Sequence, residues 1–151
     1  MAAIGLKFAF SFALALLTLE NLRADEPGVV RSQLHEIATF LTAGNPAGAM
    51  EPFSKSFADY DKLRDYFTGL TSAFTIVNEI DVTEEQETAT ESTATVRWSI
   101  TLSSLSDKQS NQRIGEIHIR SIKEKKKWKI VRFSPIDLFD PSEAQNTRSS
   151  P

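Results

Sequence analysis

Few side chains of this 151-residue chain could do chemistry. Histidine is the side chain most suited to general acid or base work near neutrality, and the chain has two, His35 and His118. Asp59, Tyr60 and Tyr66 add a carboxyl and two phenols, but no acid and base stand at a spacing that would pair them. With no cysteine and two histidines far apart, a transition-metal site lacks its usual ligands. The chain has neither a glycine-rich phosphate loop nor a Gly-x-Ser-x-Gly elbow. These observations imply no metal and no cofactor.

The elements that would carry these groups decide how they are read. From Val29, the apolar residues Val30, Leu34, Ile37 and Leu41 recur at helical spacing and stop at "TAGNP". His35 falls about 140° from that seam at ~100° per residue, on the solvent side of the helix. Asn45 as cap and Pro46 in the first turn start a second, short helix, interrupted by Pro52 and "FSKSF". A third follows Asp59, a cap candidate, with Tyr60, Leu63, Phe67, Leu70 and Phe74 as its apolar stripe.

After Phe74 the period changes from near 3.6 to 2. In "TIVNEIDVT", Ile76, Asn78, Ile80 and Val82 share one face. In the next strand Ala94, Val96, Trp98, Ile100 and Leu102 point one way, and Thr95, Arg97, Ser99, Thr101 and Ser103 the other. A polar loop over 103–112 leads to a hairpin with the lysine run at its turn. There Ile117 and Ile119 alternate with Glu116, His118 and Arg120, which puts His118 on the wet face. Three helices followed by four long strands predict an α+β domain, with the helices packed on the concave face of one strongly bent antiparallel sheet. Only Asn78 and Ser121 are polar on the expected inner face, and that of the second strand is wholly apolar.

The first 24 residues, with Lys7, an apolar run from Phe8 to Leu17 and Ala24, resemble a signal peptide cut after Ala24. The run is well short of the roughly 20 residues a spanning helix needs, so no stable membrane anchor is expected after cleavage. The expected location is periplasmic or secreted. Residues 25–141 then form one domain, and "SEAQNTRSSP" over 142–151 a disordered tail. The mature part has a net charge of −4, which excludes a general attraction to nucleic acid.

The layout, closing on Trp128, Lys129, Ile130 and Val131 and then "SPIDLFDP", resembles the nuclear transport factor 2-like superfamily, in particular its small exported bacterial members. The superfamily includes ketosteroid isomerase, scytalone dehydratase and polyketide-cyclase types. It hosts many unrelated activities, so the resemblance implies a fold more than a function. It implies a cone lined by Tyr60, Phe67, Phe74, Asn78, Trp98, Ile100, Ile117 and Phe133, able to take a small apolar ligand. Asp59 and Tyr66, along the helix that borders the pocket in such folds, are the catalytic residues to test first. Pro135 ends the last strand, and Leu138 with Phe139 is expected to fold back over an open end of the cone.

Two charge runs remain: acidic residues 79–91 and the basic "KEKKKWK" over 123–129, expected to emerge at one end of the sheet. If Val131 and Phe133 point inward, then Trp128, Ile130 and Arg132 point outward beside Arg97, Thr101, His118 and Arg120. Apolar patches rimmed by such residues mark association surfaces, and the resemblance adds a homodimer through this face. Three functions follow. The first is an exported, non-catalytic domain that binds a small apolar ligand in its cone or associates through its outer sheet. The second is an isomerase, dehydratase or cyclase-like enzyme. The third is a pocketless structural or interaction module of the cell envelope.

Overall fold

A computed structural model describes residues 28–142. The expected signal segment and nearly all of the expected tail lie outside these residues. Helices α1 (Val29–Thr42), α2 (Pro46–Met50) and α3 (Tyr60–Ala73) precede strands β1 (Phe74–Glu87), β2 (Glu91–Ser104), β3 (Ser110–Glu124) and β4 (Lys127–Ser134). The strands form one antiparallel sheet in the order β1-β2-β3-β4, and a 3-10 turn, Asp137–Phe139, closes the chain. This is the α+β arrangement expected from the order of hydrophobic periods, and the resemblance implies its cone.

The helices follow from their sequences. In α1, Val30, Leu34, Ile37 and Leu41 are buried, joined by Gln33. Asn45 caps α2, its Oδ1 accepting from the Gly48 N–H at 3.0 Å, with Pro46 at the first position. In α3, Leu63, Phe67 and Leu70 form the buried stripe. Asp59 does precede α3, but with ψ near 20° its side chain makes no capping bond. The cap expectation therefore holds for position and fails for chemistry.

No side chain of its own caps α1, because Gly28 stands at that position. The sheet supplies the missing acceptor: Glu87 Oε1 takes the Val29 N–H at 2.9 Å, and Glu85 Oε2 pairs with Arg31 Nε at 2.7 Å. A carboxylate at a helix N-terminus also opposes the helix dipole. A register shift between Val82 and Glu84 turns these acids toward α1, since an extra residue exchanges the faces of a strand. Part of the acidic run is thus strand that anchors a helix.

A second bulge corrects the reading of β4. Arg120 pairs with Arg132 but Ser121 with Ile130, so Val131 is the extra residue. Ile130 and Phe133 both point inward at 0 % exposure, while Val131 is half-buried. Trp128 shares the phase of Ile130 and lies on the concave side beside the β3–β4 turn. The expectation that Ile130 and Trp128 face outward, and Val131 inward, is overturned by this single residue. The free edge of β4 is covered where Ile130 exchanges backbone bonds of 2.8 Å with Pro52 and Ser54. The turn of the last hairpin is Lys125–Lys126, with both φ values positive.

Candidate functional site

The concave face is where this architecture would hold a ligand, and its centre is filled by the chain's own end. Phe139, at 0 % exposure, has its ring centroid 5.1 Å from Trp98, 5.3 Å from Phe67 and 5.7 Å from Phe133. Its contacts with Trp98 and Phe67 are edge-to-face, the geometry that aromatic quadrupoles favour. Arg113 holds the segment in place, Nη1 donating to the Leu138 and Asp140 carbonyls at 2.8 and 2.9 Å. The "DLF" segment thus enters the cone as well as covering it.

The residues expected to line a ligand pocket are therefore mostly core. Phe67, Trp98, Ile100, Ile117 and Phe133 are fully buried, and Phe74 nearly so. Asn78, half-buried at the edge under α1, accepts from Trp98 Nε1 at 2.9 Å and donates to the Ala38 carbonyl at 3.4 Å. Its polar role is to satisfy the indole. Tyr60 packs from the side and lines an open groove with Met50, Phe53, Ser54, Glu124 and Lys129.

Asp59 and Tyr66 are not brought together. Asp59 is exposed, and Tyr66 follows two helical turns later, about 10 Å along the axis. The Tyr66 hydroxyl instead lies toward Asp140 and helps to lower its pKa. The Ser142 hydroxyl, 2.6 Å away, is the main cause that holds the Asp140 carboxyl below its ordinary range. The Ser142 N–H, Tyr66 and the charge of Arg113 act the same way, against a partial burial that raises it. Such a carboxylate stays ionised and fixes the end of the hook. Among the described residues, the buried polar side chains are Gln33, Ser54, Ser92, Ser104 and Ser121, all neutral hydrogen bonders. Ser92 and Ser104 extend the inner face of β2 at both ends, so that face is apolar only between them.

The outer face is built differently. Glu79, Asp81 and Glu84 project from β1, Arg97 and Thr101 from β2, Glu116, His118 and Arg120 from β3, and Arg132 from β4. Asp81, Arg97 and Glu116 form one row across three strands, with the guanidinium between two carboxylates. His118 lies 3.2 Å from Thr95 Oγ1 by Nδ1 and 3.4 Å from Glu116 by Nε2. Arg120 is tied to Glu91 at 2.8 Å, which raises its pKa. A shallow groove of about 610 Å3 runs between Glu84, Thr95, His118, Arg120 and Arg132. Two large apolar side chains stand out on this face, Val77 at 60 % exposure and Ile114 at 52 %. Sequence periodicity placed Val77, Arg97, Thr101, His118, Arg120 and Arg132 here, and passed over Glu84 and Ile114.

No protein-family model matches the sequence, and no curated protein matches it significantly. Solved structures do match by shape. A conserved protein from Planctomyces limnophilus superposes with a TM-score of 0.65 at 7 % identity, over 70 % of this chain and 91 % of that one. A ketosteroid isomerase-like protein from Erwinia carotovora gives 0.58 at 10 % identity, over 71 % and 95 %. A nuclear transport factor 2-like superfamily protein from Salmonella enterica gives 0.54 at 12 % identity, over 70 % and 87 %.

Proposed function

From this nuclear transport factor 2-like fold, we propose that the protein is an exported, non-catalytic domain, periplasmic or secreted, that works by association through the outer face of its sheet. The observation that carries this reading is the Phe139 ring seated among Phe67, Trp98 and Phe133, the space a cone-held ligand would need. The residues left with unspent binding capacity are then those of the outer face.

The partner is a second copy of the chain. A two-fold interface is self-complementary, so each patch must meet its opposite on the same surface. An axis along β2 exchanges β1 with β3. Val77 of one copy then faces Gln112 of the other and reaches Ile114 diagonally, Glu84 faces His118, and each contact occurs twice. The two Arg97 side chains meet near the axis, among the carboxylates of Asp81 and Glu116.

Sedimentation velocity of charge-exchange variants tests the arrangement. Glu84→Lys alone and His118→Glu alone weaken the dimer, and the double variant, in which the charges trade places, restores it. Equal weakening in the double variant and in either single contradicts this pairing.

A further inference from the structure

The concave face has a second, polar end. Beneath the first turns of α1 lie Gln33, at 7 % exposure, and Ser92 and Ser121, both at 0 %. The two serines are direct partners across β2 and β3 with both side chains turned inward. One strand further, Ile130 pairs with Ser121, and the Trp128 carbonyl accepts from Gln33 Nε2 at 3.2 Å. The glutamine therefore reaches down from the helix onto the same corner of the sheet.

That bond settles which way the amide points, since the opposite orientation would set two acceptor oxygens against each other. Gln33 Oε1, Ser92 Oγ and Ser121 Oγ are then left without a hydrogen-bond partner within the protein. Buried polar atoms in native proteins nearly always have a protein or water partner. Three at one corner of the interior suit a common one. The side chains beside the serines are small: Ser92, Ser121 and Ala94 adjoin one another on the inner face.

We propose that Gln33, Ser92 and Ser121 bind one internal water molecule that joins α1 to β2 and β3. The chemistry of the three groups selects it. Gln33 Oε1 only accepts, whereas each hydroxyl donates or accepts, so the guest must do both. None of the three carries a charge, so an ion would sit there uncompensated. Water donates one O–H to Gln33 Oε1, accepts from one serine and exchanges a bond with the other. Three bonds are usual for a buried water. The site is independent of the outer face and of any dimer.

A crystal structure of the full chain, at a resolution that shows ordered waters, tests this directly. The expected result is a single density peak within hydrogen-bond distance of Gln33 Oε1 and both serine hydroxyls. In a Ser92→Ala/Ser121→Ala double variant the peak is lost. Should that variant fail to fold, the unmodified protein alone decides. Hydroxyls bonded to each other or to backbone carbonyls with no peak between them overturn the proposal, as does density for a larger molecule.

Discussion

The two faces of the sheet are written by alternate residues of the same strands, yet they do different work. On β2, Ala94, Val96, Trp98, Ile100 and Leu102 face a packed interior, while Thr93, Thr95, Arg97, Ser99 and Thr101 face outward. Inside, the Phe139 ring completes the packing and the Trp98 indole N–H has its acceptor. Outside, charges of both signs and two exposed apolar side chains keep capacity for a partner. The concave face is closed packing, and the convex face carries the exposed charges and apolar side chains on which the proposed association rests.

Substitutions on either side should separate these roles. Phe139→Ala should have the largest effect, about 3–5 kcal/mol by urea denaturation, because a buried ring is lost and rigid neighbours close the gap only in part. A cost below about 1 kcal/mol would show that the hook merely covers the core. Asn78→Ala should cost about 1–3 kcal/mol, since it strands the Trp98 N–H in the interior, and a Trp98→Phe background should shrink that cost.

At the sheet margin the effects become smaller. Glu87→Gln weakens the carboxylate at the start of α1 and should cost about 0.3–1 kcal/mol, less in high salt. Asp140 gives a pH effect of known sign. Its folded pKa is lowered, so its stabilisation is complete above the unfolded value near 3.8 and is lost as pH falls through the still lower folded one. Asp140→Asn should remove that stabilisation at neutral pH and so flatten the acid limb of a thermal-stability profile, leaving stability at the acid end nearly unchanged. On the convex face, Val77→Asp and Ile114→Asp should shift the monomer's Tm least of all, since both side chains are already exposed.

Strong periods were legible and their interruptions were not. The helical seam of α1, the Asn45-Pro46 start of α2 and the alternation of β2 were plain in the sequence, because each rests on several residues that agree. The bulge at Val131 was hidden, because one inserted residue flips a strand's faces and leaves no compositional mark. It moved Ile130 and Trp128 off the outer face. The shift after Val82 likewise turned Glu85 and Glu87 from apparent surface charge into the anchor of α1.

The candidate site was legible by parity and missed by contact. His118, Arg120, Arg97 and Thr101 follow from simple alternation, and so does the inward Trp98. That Phe139 would reach the centre of the cone depends on Arg113 binding two carbonyls more than 20 positions away, which no local pattern encodes. Asp59 and Tyr66 were the residues to test first, and the structure leaves Asp59 exposed, about 10 Å along the helix axis from Tyr66.

Native mass spectrometry of the full chain, beside its Ile114→Asp variant, tests the central claim most directly. The account predicts a dimer of two chains with no additional mass for the unsubstituted protein, and a folded monomer for the variant. A monomeric unsubstituted protein, or a chain that carries a retained small molecule, would contradict it and return the function to the interior of the cone.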